Sequence, residues 1–183
     1  LILAEKRGEK VLSTPAGYGL GADQHYYFSH MLNCLYDCRY CFLQGMYRSS
    51  NFVLFVNYED FVSDIREIAN SHSNEKCIFF SGYDCDSLAL ESLTGFANHF
   101  LDLFQNLPNA TLELRTKSVN VSPLLQRGAL ENVVVAFTLS PDLVAKSLEF
   151  KAPTLSARLR AIAKLTSAGW KIGLRFDPLI YFD

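Results

Sequence analysis

The sequence has no excess of basic residues: 17 Lys and Arg stand against 19 Asp and Glu, giving a formal charge of -2 and a pI near 6.1. That excludes the polycationic surface behind non-specific nucleic-acid affinity, so a nucleic-acid substrate has to be argued from a site. Long apolar runs are missing too. The longest, Phe52 to Val56 and Val133 to Phe137, fall far short of the ~20 residues of a membrane helix. The N-terminus leaves no room for the apolar stretch of a secretory signal, because Glu5, Lys6, Arg7, Glu9 and Lys10 follow closely on Leu1. A cytoplasmic protein without a membrane partner is expected, and the lack of an initiator Met suggests a trimmed or incomplete chain. No internal repeat or low-complexity tract interrupts the 183 residues. With 49% hydrophobic and 20% charged residues they suit one globular domain with a substantial core, not a disordered chain.

What is present is a concentration of thiols. There are five cysteines, an odd number in a chain too large to need disulfide staples. Cys34, Cys38 and Cys41 form a C-x3-C-x2-C run, which random placement produces with a chance of about 0.002. Three thiolates on one tight loop can hold three irons of a cubane cluster and leave the fourth iron open for catalysis. A structural zinc completed by His25 or His30 is the alternative use of the same ligands, and a disulfide is a third.

The rest of the chain alternates between short apolar runs and amphipathic stretches. Residues 1–25, with Gly17, Gly19 and Gly21, read as a loop-rich lead-in. A first strand is predicted at Tyr26 to Ser29, before the cysteine loop and a short helix. Phe52 to Val56 follows as a strand, with Asn57 capping a helix that carries Glu59 and Asp60 in its first turn and Phe61, Ile65 and Ile68 on one face. Further strands are predicted at Cys77 to Phe80, Thr111 to Thr116, Val133 to Thr138 and Lys171 to Phe176. The intervening helices are Leu88 to Phe104, with Leu93, Ala97, Phe100 and Phe104 on one face, then Ser122 to Arg127, then Pro153 to Ala168 closed by Gly169. This is an α/β pattern. Six β-α units over residues 26–183 close part of a parallel (β/α)6 barrel, truncated at the C-terminus, and chemistry in such sheets collects at the carboxyl ends of the strands.

The cysteine run, with Tyr40 before its last cysteine and its place just after the first strand, resembles the radical S-adenosylmethionine (radical SAM) superfamily. Cys34 to Gln44, Phe52 to Tyr58, Asp84 to Glu91 and Leu114 to Lys117 together resemble the spore photoproduct lyase family within it. The resemblance implies a 4Fe-4S cluster on Cys34, Cys38 and Cys41, with S-adenosylmethionine chelated to the unique iron. A reductant such as flavodoxin or ferredoxin would drive its cleavage to a 5′-deoxyadenosyl radical. The implied activity is a lyase that repairs a thymine-thymine lesion in DNA.

The resemblance also assigns roles to strand-end residues. Asp84, Asp86 and Ser87 would accept from the methionyl ammonium, with helix capping before Leu88 as the plainer use. Lys117 would pair with the methionyl carboxylate. Tyr40 would neighbour the adenine or simply pack, and Ser140 would be a pocket serine or a turn residue before Pro141. Cys85 lies where the family carries the cysteine that returns a hydrogen to the repaired thymine, or it is a buried inert thiol. Cys77 is read as a core residue, and Arg175 and Asp177 end the last strand without an assigned role. Phe42 departs from the family, which has a tyrosine immediately after the last cluster cysteine. That departure and the lack of a basic surface keep open a radical SAM enzyme acting on something other than DNA. A non-catalytic zinc or iron-sulfur module is the remaining alternative.

Overall fold

The structure is a computed structural model that describes residues 1–15 and 21–181; Gly17 and Gly19 of the predicted lead-in lie outside the described residues. In chain order the elements begin with β1 (Ile2–Ala4), β2 (Val11–Ser13), β3 (Gln24–Phe28), β4 (Met31–Leu32), α1 (Leu43–Met46), β5 (Val53–Phe55), α2 (Tyr58–Ser71) and β6 (Cys77–Ser81). They continue with α3 (Glu91–Thr94), α4 (Phe96–Phe104), β7 (Ala110–Thr116), α5 (Ser122–Arg127), β8 (Val133–Thr138), α6 (Asp142–Leu148), α7 (Leu155–Ser167) and β9 (Lys171–Arg175).

Strands β3, β6, β7, β8 and β9 pair side by side in parallel, and β2 adds an antiparallel edge against β3. The period-2 alternation of each strand splits its residues between two faces. Leu112 and Leu114 of β7, Val133, Val135 and Phe137 of β8 and Phe79 of β6 turn to one side, where they meet Phe96, Phe100 and Phe104 of α4, Phe61 and Ile65 of α2 and Leu165 of α7. Phe28, Phe96 and Phe100 pack mutually as tilted rings, with centroids 6.1, 4.7 and 5.1 Å apart for Phe28–Phe96, Phe96–Phe100 and Phe28–Phe100. Each such fully buried aromatic contributes about 1.5–3 kcal/mol of transfer free energy. This packed layer is what holds the opposite end of the sheet, with its loops, in place. Among the described residues no helix is long and apolar enough to cross a membrane.

The sequence expectation of six parallel strands needs one correction. The apolar run at Phe52 to Val56 forms β5, but β5 pairs with β1 in parallel and β4 antiparallel, in a separate three-stranded sheet. An apolar run records that a strand is buried and not which strand it pairs with. The lead-in is correspondingly more than loop, since it supplies β1 to that sheet and β2 to the main one. The predicted Leu88 to Phe104 helix is broken into α3 and α4 at Gly95, whose φ of 58° ends one helix in the left-handed region. Leu93 is consequently exposed while Ala97, Phe100 and Phe104 are buried. Asn57 sits at the start of α2 without capping it: its carboxamide bonds the Lys6 backbone N–H at 2.9 Å and Asp60 at 2.7 Å. Thr154 does cap α7, through the Ala157 N–H at 3.3 Å.

Candidate active site

Cys34, Cys38 and Cys41, none of them in a disulfide, lie in the loop between β4 and α1. All three line one cavity of about 160 Å3 together with Cys85 and Asp86 after β6, Arg115, Thr116 and Lys117 at the end of β7, and Thr138 at the end of β8. A larger hollow of about 330 Å3 touches the same loop at Cys34 and Cys41 but none of those strand ends. The smaller cavity is therefore where thiols and sheet meet.

The loop is fastened at both ends. Asn33, with φ at 67°, starts it in a conformation that Asn tolerates through local side-chain bonding, and its amide donates to the carbonyls of Ser49 at 2.8 Å and Asn51 at 2.7 Å. Farther along, the Arg39 N–H donates to Leu148 O at 2.8 Å, the Phe150 N–H donates to Asp37 O at 3.1 Å, and Cys38 bridges Glu149 in an antiparallel contact. Glu149 is the hub. One carboxylate oxygen accepts from the Tyr40 phenol and, at 3.2 Å, from the Ser140 hydroxyl, while the other accepts from Arg158. Arg158, itself fully buried, also donates to Pro153 O at 2.8 Å and Thr138 O at 3.0 Å. Burial works against the Glu149 carboxylate, but the donors from Tyr40 and Arg158 outweigh it and hold its pKa below the usual range. The Tyr40 phenol is pushed up, first by burial and then by its bond to Glu149. Lys117 Nζ lies 5.6 Å above the Tyr40 ring, an arrangement that favours a cation.

The segment after β6 is built around a tight turn. Gly82 has φ at 74°, and a Cβ there would fall 2.5 Å from Ser87 Oγ, so a side chain is sterically excluded. Ser87 is locked beneath it by the Ser81 hydroxyl at 2.7 Å and by donating its N–H to Arg115 O at 3.0 Å. Asp86 accepts from the Thr116 hydroxyl at 2.7 Å, the Leu88 N–H at 2.9 Å and the Lys117 N–H at 2.6 Å. A carboxylate offers roughly four acceptor sites, so one stays open on the oxygen that faces Lys117. Burial raises the Asp86 pKa, and these donors offset only part of that. Burial likewise pushes Cys34 up to about 12, with the Asp86 charge adding to it. Cys85 Sγ lies 3.8 Å from His30 Nδ1, and His30 stacks on Phe96 at 3.9 Å. Burial pulls the imidazole down to about 3 and drives the Cys85 thiol well above its ordinary range, so the pair is a neutral imidazole beside a neutral thiol.

The family model for spore photoproduct lyase matches residues 23–183. This chain belongs to the spore photoproduct lyase family. The spore photoproduct lyase of Bacillus subtilis (strain 168) is 24% identical over 147 residues, covering 80% of this chain and 43% of that protein. The Geobacillus sp. enzyme is 23% identical over 151 residues, covering 82% of this chain and 44% of that protein. The chain thus spans less than half the length of the curated relatives it matches. A solved spore photoproduct lyase mutant with bound AdoMet and dinucleoside spore photoproduct superposes with a TM-score of 0.86 at 22% identity, covering 99% of this chain and 52% of that chain. At 14% identity, anSMEcpe with bound AdoMet gives a TM-score of 0.56 over 78% of this chain and 39% of that one. These likenesses establish a shared mixed α/β fold with a parallel sheet.

Within this family member the sequence-predicted site residues separate into two groups. Cys34, Cys38, Cys41, Cys85, Asp86 and Lys117 come together at the cavity. Tyr40 and Ser140 stand behind it on Glu149, Ser87 is turned into the fold on Ser81, and Asp84 acts on Tyr47 and Lys6 instead of lining the cavity. Sequence reasoning missed Glu149 and Arg158. For Arg158 a signal existed, because it shares the apolar face of α7 with Ala161 and Leu165 at i+3 and i+7. Glu149 carried none, being one acidic residue after a short helix.

The donor chemistry fits a cluster. Three thiols of one loop line a shared cavity with Asp86 and Lys117, a soft donor set of the kind that holds an iron-sulfur cluster. The two histidines that would complete a zinc site are engaged elsewhere, His30 against Cys85 and Phe96, His25 stacked on Phe80 at 6.4 Å.

Proposed function

We propose that this chain is the radical SAM portion of a spore photoproduct lyase-type enzyme that repairs a thymine-thymine lesion in DNA. The observation that carries the reading is the common cavity, where three loop cysteines face the carboxyl ends of β6, β7 and β8. In this reading residues 26–183 are one radical SAM unit whose partial barrel is carried by the parallel strands β3, β6, β7, β8 and β9, and residues 1–25 are a lead-in that supplies β1 and β2. The protein works in the cytoplasm with a flavodoxin or ferredoxin as reductant. Cys34, Cys38 and Cys41 would hold a 4Fe-4S cluster, and S-adenosylmethionine would lie between it and the strand ends. Cluster and S-adenosylmethionine together supply, when bound, a 5′-deoxyadenosyl radical that abstracts a hydrogen atom from substrate.

This chain's own residues have four tasks. Lys117 pairs with the methionyl carboxylate, and the open acceptor site of Asp86 takes the ammonium. Tyr40 and Ser140 act through Glu149 to fix the loop. Cys85 returns a hydrogen atom to the product radical: its S–H bond breaks homolytically, the new C–H bond forms on the thymine, and a thiyl radical stays on sulfur. A protonated thiol is required for that step, and the buried pair with a neutral His30 keeps one.

Anaerobic reconstitution and reduction, followed by assay for 5′-deoxyadenosine with and without lesion-containing DNA, tests the proposal. Cofactor cleavage that rises with the lesion, together with repaired thymines, is the expected result. Cleavage indifferent to any lesion would favour a radical SAM enzyme on a different substrate, the reading to which Phe42 at the cavity wall points.

A further inference from the structure

The face of the main sheet turned away from the helices carries charge. Glu113 and Arg115 alternate with the buried Leu112 and Leu114 of β7, and Arg175 reaches the same carboxylate from the end of β9. Arg175 donates through Nε at 2.8 Å and Nη2 at 2.6 Å, and Arg115 donates through Nε at 2.6 Å. Both guanidinium groups lie over the Phe80 ring, at 4.6 Å for Arg115 and 5.8 Å for Arg175. Two cations thus share one carboxylate that is only 3% exposed, and the cluster keeps a formal charge of +1. Among the described residues the terminal nitrogens of Arg115 have no hydrogen-bond partner. Arg115 borders two spaces: the cysteine cavity, and a hollow of about 20 Å3 walled by Thr14, Pro15, Tyr27, Phe80 and Tyr83.

We propose that Arg115, oriented by Glu113 and accompanied by Arg175, binds a phosphodiester group of the substrate; this rests on the lesion-repair reading above. A guanidinium whose terminal nitrogens have no partner among the described residues, beside a cavity, matches two oxygens of one phosphate at once. Tyr27 and Tyr83 pack on each other at a centroid distance of 4.8 Å, and the hollow beside them, of about 20 Å3, admits no nucleobase, so the group held at Arg115 is the phosphate alone. The methionyl carboxylate is the competing anion. Lys117 stands nearer to the loop, over Tyr40, and it follows Arg115 by two residues, which places Arg115 roughly 7 Å farther down the strand.

The test compares two forms of one lesion on the reconstituted protein with S-adenosylmethionine: dinucleoside spore photoproduct, which has no phosphate, and the dinucleotide form with its bridging phosphodiester. The parent should bind the phosphodiester form about 10- to 100-fold more tightly. Arg115→Gln should bring that ratio close to one, and Arg115→Lys should keep part of it. Equal affinity for the two forms in the parent overturns the phosphate assignment while leaving the lesion reading standing, and it requires no variant to fold. A ratio unchanged in Arg115→Gln, with S-adenosylmethionine affinity lost instead, overturns it too and gives the arginine to the cofactor. Failure to bind either form, alongside normal cofactor cleavage, overturns the lesion reading and this inference with it.

Discussion

Tyr40 and Glu149 are 109 positions apart in the chain, yet the phenol of one donates to the carboxylate of the other. The cysteine loop is thereby tied to the chain segment after α6, and through Arg158 to α7 and the end of β8. A loop meant to present three thiols in fixed directions cannot rely on its own four-residue helix α1, which buries no residue. It borrows rigidity from the sheet.

Removing that carboxylate should be costly. Glu149→Ala leaves Arg158, fully buried, without its anionic partner, and breaking a buried pair from one side costs about 3–5 kcal/mol. Denaturant unfolding should show a loss of that order, with Glu149→Gln losing less. A variant within about 0.5 kcal/mol of the parent, the usual range for a surface substitution, would show that the loop is anchored elsewhere.

The three loop cysteines should behave alike. Replacing Cys34, Cys38 or Cys41 by Ala should remove most of the cluster absorbance of the reconstituted protein and all cofactor cleavage, while Cys77→Ala keeps both. Cys77 is 1% exposed in the helix-side core, so its loss should be felt in stability alone. A colourless parent holding one zinc would end the enzyme reading.

Lys117→Ala should keep the cluster and weaken S-adenosylmethionine binding by about 1.5–3 kcal/mol, the range for a hydrogen bond to a charged group. Equilibrium binding to reconstituted protein reads this directly, and unchanged affinity would place the ammonium outside the cofactor's reach.

How much of this was legible follows from the distance over which each signal acts. The apolar runs are local patterns and each corresponds to a strand, and the cysteine spacing is a local pattern that falls in the loop between β4 and α1. The partner of β5 was not readable, because Leu54 lies beside Leu3 and Met31 for reasons of packing that no window around residue 54 contains. Gly95 is a local helix-stop signal, masked in sequence by the apolar stripe that continues on either side of it. The division of labour among Asp84, Asp86 and Ser87 could not be read at all: adjacent residues in a turn point in different directions, and the Gly82 turn sets which one faces the cavity.

Acid should destabilise the fold through His30. Burial lowers its pKa from 6.5 to about 3, so the folded state resists a proton that the unfolded chain takes up. Stability from this group is complete above the unfolded value near 6.5 and is lost as pH falls toward about 3, with a slope approaching about 1.4 kcal/mol per pH unit. Unfolding free energies of parent and His30→Gln should converge in slope above neutrality and diverge below pH 6 or so, the parent falling faster. Parallel curves across that range would mean the imidazole is solvated.

The same His30 bears on Cys85. Their 3.8 Å contact joins a neutral imidazole to a thiol that burial keeps protonated, the opposite of the thiolate-imidazolium pair a nucleophilic cysteine needs. Cys85→Ala should therefore still bind and cleave S-adenosylmethionine, since the thiol is needed only after the lesion has been split. Without it the product radical lacks its hydrogen source, so more cofactor should be consumed per repaired lesion and abnormally quenched products should appear. Phe42→Tyr is the companion variant, because Phe42 lines the same cavity, against Tyr83 at 5.6 Å, and a phenol there should help re-form the cofactor. Product analysis by mass spectrometry with cofactor counting decides the matter. Clean repair by Cys85→Ala at parental cofactor cost would remove the thiol from the reaction and leave its contact with His30 as packing.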